Sequence, residues 1–270
     1  MQLTASDHIT QQYRHIYFQP HFDDAILSCG GAIALQVGSG QQVLLVTIFG
    51  GPPPSGQALS SFASQLIQRD GLGSDAAEAV RTRQAEDLAA ATMLGADVFW
   101  LEFPEALYRG APAYYPDEQS LFGAVHPNDL TLDGVIAERL SQVYERAPLA
   151  ALYAPLGVGN HVDHQLVCSA ADRLAQQKNN VKFYEDIPYV ARTAGALEAR
   201  QKALGIPMEQ ELVEISHQPA RYKEEASLQY RSQIPALFGS EERLRQSLTT
   251  YSSTIRRTYP GIQIERYWTW

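Results

Sequence analysis

Two short stretches gather side chains that bind cations and move protons. The first is His21-Phe22-Asp23-Asp24, directly after the apolar run that ends at Pro20; the second is GVGNHVDH, 157–164, which carries His161, Asp163 and His164. His21 and Asp24 stand three apart, as do His161 and His164, and in the first turn of a helix that spacing puts both members on one face. Neutral imidazole and carboxylate are ligands for zinc and similar divalent metals, and a catalytic site keeps typically three protein ligands and an open position for water. One ligand set therefore leaves residues over for acid–base work. Alone, either motif reads as a helix cap. Together, each at the end of a strand, they point to a metal site.

The elements around them support that placement. HIYFQP (15–20) reads as a strand, residues 24–37 as a small-residue helix, and VLLVTIF (43–49) as a strand covered on both faces. Strand, helix, strand in this span is a βαβ unit, which builds parallel sheets. GGPPPSGQ (50–57) is a loop, SSFASQLIQRDGLG a short helix, and 74–95 a helix opened by Ser74 or Asp75 and closed by Gly95. DVFWLEF (97–103) is a strand, 129–146 a helix, LAALYAPLG (149–157) a strand, 161–177 a helix, and VKFYEDIPYV (181–190) begins as a strand. This alternation is the α/β pattern, and in such sheets ligands bind at the carboxyl ends of the strands. Both motifs fall there. After about residue 195 the regularity fades into helical stretches such as EEASLQYRSQIPALF and an aromatic tail, RYWTW. The expectation is one domain over 1–270 with C-terminal additions.

Composition narrows the function. Hydrophobic residues are 45% and charged residues 19% of the chain, as in ordinary globular proteins. No apolar run approaches the roughly 20 residues of a membrane span, and the N-terminus lacks a secretory pattern, so the expected location is cytoplasmic. A formal charge of −9 with scattered Lys and Arg argues against nucleic acid as partner. Cys29 and Cys168 form no CxxC pair and sit among small apolar residues, which reads as two buried thiols. A dinucleotide-binding oxidoreductase would need GxGxxG after the first strand, where HFDDAILSCGG stands instead. A serine hydrolase lacks GxSxG; Gly38-Ser39-Gly40 follows a helix.

PHFDDAILSCGG resembles the PHPDD signature of the PIG-L/LmbE-like deacetylases, and NHVDH resembles their HxxDH motif. RTRQAEDLAAATMLGAD is similar to their RxxE…LG stretch, with Arg83, Glu86 and Gly95 in matching places. The resemblance covers roughly residues 15–190. It implies a Rossmann-like three-layer α/β/α fold with a mostly parallel sheet and zinc-dependent removal of acetyl groups from N-acetylglucosamine-type substrates, with another divalent metal such as Fe2+ as the alternative. Position by position it implies His21, Asp24 and His164 as metal ligands, Asp23 as general base, a protonated His161 as oxyanion stabiliser, and Asp163 as the carboxylate supporting His161. Phe22 and Ala25 depart from the usual proline and acidic residue.

The partner so implied is a small N-acetylated sugar or glycoconjugate; an amidase on another amide-linked sugar conjugate and a non-catalytic sugar-binding protein are the rivals, and self-association into a homo-oligomer is left open. Arg83 reads either as a substrate contact or as a surface arginine paired with Glu86 or Asp87. Tyr184 and Glu185, after the strand VKF, are candidates for the pocket. In the 104–128 loop, Tyr108, Arg109, Tyr114 and Tyr115 read as sugar contacts or as loop packing. His8, His15, His126 and His217 have no ligand-spaced partner, and Asp129, Glu241 and Glu242 read as solvated charge.

Overall fold

In the computed structural model, residues 1–178, 181–255 and 262–270 are described. A two-residue strand, β1 (Gln2–Leu3), precedes β2 (Tyr13–Gln19), whose last four side chains are all buried. Helix α1 (Asp24–Gly38) crosses to β3 (Gln42–Thr47), and α2 (Ser61–Arg69) and α3 (Ala76–Leu94) lead to β4 (Asp97–Trp100). Asp75 caps α3 by accepting from the amides of Ala77 and Glu78, and Gly95, at φ 76°, ends it in the left-handed conformation that glycine adopts without strain. The short helix α4 (Glu118–Leu121), α5 (Leu132–Arg146), β5 (Ala151–Pro155), α6 (Val162–Lys178) and β6 (Val181–Tyr184) complete the alternation.

Neighbouring strands run in the order β1-β4-β3-β2-β5-β6 and are parallel. The chain builds outward from β2 through β3 to β4, then returns to lay β5 on the other side of β2. That reversal opens a crevice at the carboxyl ends of β2 and β5, the topological switch point where α/β sheets bind ligands. The register Ile16↔Leu152 and Tyr17↔Tyr153 sets the two strand ends side by side. Residues 140 positions apart in sequence are thereby neighbours in space.

Alternating side chains supply two cores. Ile16, Phe18, Leu44, Val46, Leu152 and Ala154 pack beneath α5 and α6 through Ile136, Leu140, Leu166 and Leu174. Tyr17, Val43, Leu45, Val98 and Tyr153 face α1 and α3 through Ile26, Ile33, Ala90 and Leu94. The fold is thus the three-layer α/β/α sandwich that the alternation and the family resemblance led us to expect.

The C-terminal third is more regular than its sequence suggests. After α7 (Tyr189–Arg192) and α8 (Ala196–Leu204), β7 (Glu209–Ile215) is followed by α9 (His217–Ser227), α10 (Ile234–Leu237), α11 (Glu241–Ile255) and β8 (Gln263–Thr269). The aromatic tail is therefore a strand: β8 lies antiparallel between β6 and β7 and carries the sheet to eight strands among the described residues. Helix α9 packs on α1, and the pair Gly30-Gly31 permits it: a Cβ at Gly30 would lie 2.8 Å from Lys223 Cγ, and one at Gly31 2.5 Å from Ile215 Cγ2. Lys223 and Glu265 form a buried ion pair at 2.8 Å against the same turn. The small residues of α1 admit α9 and β7, which a reading confined to the first βαβ unit does not reveal. Among the described residues no helix is long and apolar enough to cross a membrane.

Candidate metal centre and its cavity

The loop after β2 turns into α1 within four residues, and Asp24 ties that turn by accepting from the backbone N–H of His21 at 2.8 Å. Asp24 Oδ2 also lies 3.4 Å from His21 Nδ1 and 3.5 Å from His164 Nε2. Two distant imidazoles therefore face one carboxylate oxygen. Each histidine is held from behind. His21 Nε2 is 3.0 Å from Asp163 Oδ2, and His164 Nδ1 is 2.6 Å from Asp186 Oδ1. A carboxylate on the far ring nitrogen fixes tautomer and orientation, the arrangement metal-ligating histidines almost always have.

His164 Nε2 is buried and without a hydrogen-bond partner among the described residues. A buried polar atom left unpaired is costly, and this one points at His21 and Asp24. The donor set is nitrogen, oxygen and nitrogen, with ligand atoms within 4.8 Å of one another. That chemistry fits a divalent cation. A second grouping, His21, His161 and Asp163, meets the same distance limit. It fits less well, because both Asp163 oxygens are already engaged, by Arg109 Nη1 at 2.6 Å and by the backbone N–H of Ala106 at 3.0 Å besides His21.

Electrostatics favour positive charge here. Burial would lower the His21 imidazole, yet the carboxylates of Asp163 and Asp24 hold it well above its ordinary range. His164 is likewise raised against burial by Asp24 and Asp186. Burial acts to raise Asp24, but His164 and His21 hold it down to about 2. Asp23 goes the other way: burial and the neighbouring Asp24 push it up to about 6, against the pull of Arg83 at 3.7 Å. Adjacent carboxylates are thus split, one toward permanent charge and one into the range of a proton acceptor.

His161, 80° edge-on to His21 at 4.9 Å between ring centres, completes the floor. Its Nδ1 accepts from the backbone N–H of Asp163 at 3.2 Å, so its Nε2 carries the proton. Burial, followed by the charge of His21, pushes its pKa well below the ordinary value. Asp163 thus hydrogen-bonds the ring of His21 and meets His161 only through its backbone N–H, and the accepting Nδ1 of His161 is the pattern of a neutral ring rather than of the expected imidazolium.

A cavity of about 600 Å³ opens over this floor. His21, Asp23, Asp24, His161 and Asp163 line its base, and Arg83 and Glu105 stand beside Asp23. Arg83 pairs with Glu105 and lies over the Phe22 ring at 5.5 Å. It is a partly buried cavity residue, and not paired with Glu86 or Asp87: Glu86 accepts from Ser232, and Asp87 from Trp100, Gln19 and Tyr230. Phe22, where proline is usual, packs edge-on against Trp100 and gives Arg83 its platform.

Several expected pocket residues lie elsewhere. Arg109 is buried and reaches Asp163 and Asp129, so it braces the site from below. Asp129 is correspondingly a buried ion-pair partner that also accepts from Tyr115, not solvated charge. Glu185 accepts from Tyr251, Arg266 and Trp268, and Tyr184 donates to the carbonyl of Phe18; neither lines the cavity. Tyr108, Tyr114 and Tyr115 also lie outside the lining, Tyr114 stacking on His126 at 4.3 Å. The aromatic walls come instead from Phe62, Phe122 and Tyr189. His15 is bonded to Tyr153 and Gln41, and His8 and His217 are exposed, as their lack of ligand spacing suggests. Cys29 and Cys168 are buried and free, and Glu241 and Glu242 are exposed.

Sequence reasoning misses Asp186, whose other oxygen accepts from the amides of Gly157 and Val158 at 2.8 and 2.7 Å. Removing such a support costs a metal site about 10–100-fold in affinity. Asp186→Asn is expected to show that loss in competition titrations with a chromophoric chelator, with the far-ultraviolet spectrum unchanged. Asp87 is a second hidden group. Its carboxylate accepts from Gln19 at 3.3 Å, and Gln19 accepts from the amide of Ala25 in the first turn of α1. Burial raises Asp87 from 3.8 to about 7. A carboxyl raised on folding stabilises below its unfolded pKa and loses that contribution as pH rises through its folded pKa. Tm is therefore expected to decline between about pH 4 and 7, with a shallower decline in Asp87→Asn by calorimetry.

The profile of the PIG-L family, described as GlcNAc-PI de-N-acetylase, matches residues 16–175. A 2'-N-acetylparomamine deacetylase from Niallia circulans is 32% identical over 239 residues, 84% of this chain and 82% of that protein. Among solved structures, a teicoplanin-pathway deacetylase superposes with a TM-score of 0.81 at 25% identity, covering 94% of this chain and 96% of the other. The zinc-inhibited form of a teicoplanin deacetylase gives 0.78 at 26% identity, with 94% and 97% covered.

Proposed function

This chain belongs to the PIG-L family, and from that premise we propose that it is a zinc-dependent N-deacetylase that hydrolyses the acetamide of an N-acetylated amino sugar or its conjugate to acetate and the free amine. The observation that carries this reading is the unpartnered His164 Nε2 facing Asp24 and His21, with Asp23 beside them on the cavity floor and not needed as a ligand. Relatives named as deacetylases of 2'-N-acetylparomamine and teicoplanin support an amino sugar carried on a larger molecule. A cavity of about 600 Å³ suits a ligand of that class.

His21, Asp24 and His164 would hold the metal. A divalent cation there supplies Lewis-acid polarisation of the amide carbonyl and lowers the pKa of a coordinated water from about 15.7 toward about 7. Asp23 takes the proton of the attacking water and returns it to the nitrogen as the C–N bond breaks. Its raised pKa suits a group that must both accept and release. Arg83, fixed by Glu105, holds Asp23 in place without taking its proton. His161 donates from Nε2 to the oxygen on which negative charge grows, as an oxyanion donor does. Asp163 and Asp186 keep the two ligand imidazoles turned toward Asp24.

Dialysis against a chelator is expected to reduce amine release from N-acetylated amino sugars to background, and one equivalent of zinc to restore it. Unchanged turnover in metal-depleted protein would exclude the mechanism.

A further inference from the structure

Residues 188–237 lie outside the stretch matched by the family profile, yet they supply part of the cavity wall, including Gln233 from the segment just before α10. Gln233 is 8% exposed, and its side chain lines the cavity. A chain of hydrogen bonds sets the sense of its amide. Glu86, on α3, accepts from the backbone N–H of Ser232 at 2.8 Å and from its hydroxyl at 2.6 Å. With its proton committed to that carboxylate, Ser232 Oγ can only accept from Gln233, and Gln233 Nε2 donates to it at 3.0 Å. The carbonyl Oε1 is left without a protein donor among the described residues. An acceptor at a cavity wall offers a hydrogen bond to whatever occupies the cavity, and a ligand that displaces its water must supply the donor.

We propose that Gln233 is a specificity-determining residue whose Oε1 accepts a hydrogen bond from a hydroxyl of the bound amino sugar, with Glu86 and Ser232 as positioning residues that keep an acceptor, not a donor, facing the substrate. This rests on the deacetylase reading above. A site built to accept from a substrate hydroxyl rejects the analogue that lacks it, because the acceptor, shut off from water by the bound ligand, then goes unpaired. Glu86 carries the same logic at a distance. As glutamine it can donate to Ser232 Oγ, which frees the serine proton for Gln233 and lets the amide turn its N–H₂ toward the cavity.

The test compares amine release from the methyl glycoside of N-acetylglucosamine and from its 3-, 4- and 6-deoxy forms by wild type, Gln233→Met and Glu86→Gln, with circular dichroism and zinc content measured on each. Wild type is expected to lose about tenfold or more in kcat/KM on one deoxy sugar. Gln233→Met is expected to lose about tenfold on the parent sugar, mainly through KM, and to treat that deoxy sugar and the parent alike. Glu86→Gln, which does not line the cavity, moves the same ratio in the same direction and serves if Gln233→Met fails to fold. A parent-to-deoxy ratio unchanged in the folded variants overturns the role of Gln233 alone. A zinc-loaded wild type that releases amine from none of these sugars overturns the deacetylase reading on which the role depends.

Discussion

Asp23→Asn is expected to lower kcat by about 10²–10⁴-fold, the usual contribution of a positioned proton acceptor, while zinc remains bound. Asparagine keeps the volume and the polar contact with Arg83 but has no lone pair basic enough to take a proton. The side chain is buried at the cavity floor, 3.7 Å from Arg83, and belongs to neither candidate ligand group. Its neighbour Asp24 has the opposite environment, one carboxylate oxygen facing both His21 and His164. Amine release together with metal analysis separates the two roles. Turnover near wild type would place the base elsewhere, and loss of zinc would make Asp23 a ligand.

The second large effect separates the two histidines of the α6 motif. His164→Ala removes the unpartnered Nε2 and leaves the buried carboxylates of Asp24 and Asp186 facing an empty volume, so zinc is expected to be lost and activity with it. His161→Ala removes an N–H donor and a floor residue while leaving His21, Asp24 and His164 in place. It is expected to keep zinc and lose about 10²–10³-fold in kcat, the cost of one missing oxyanion donor. Metal content reversed between the two variants would interchange their roles.

The histidines proposed as ligands are legible in the sequence because they sit where a strand becomes a helix, and the strand-end rule ties such places together. The supports behind them are not legible in the same way. In VKFYEDIP the candidates read from sequence are Tyr184 and Glu185, whereas just past the end of β6 Glu185 turns to Trp268 and Arg266 and the next residue, Asp186, turns to His164. The chain leaves the strand there, so period-two alternation does not fix which of the two carboxylates faces the site. Arg109 and Asp129 show the same limit. Twenty residues apart in sequence, they meet through a guanidinium that also reaches Asp163, a residue from a third segment of the chain. The role proposed for Gln233 is further still from sequence reasoning, since it depends on Ser232, which is held by Glu86 on a helix 146 positions before that serine.

Anomalous diffraction at the zinc edge from zinc-loaded crystals bears most directly on the proposed chemistry. A single strong peak in contact with His21, Asp24 and His164, with Asp23 outside its coordination sphere, is the expected result. A peak coordinated instead by His161 and Asp163, or the absence of any peak between the two loops, would contradict it.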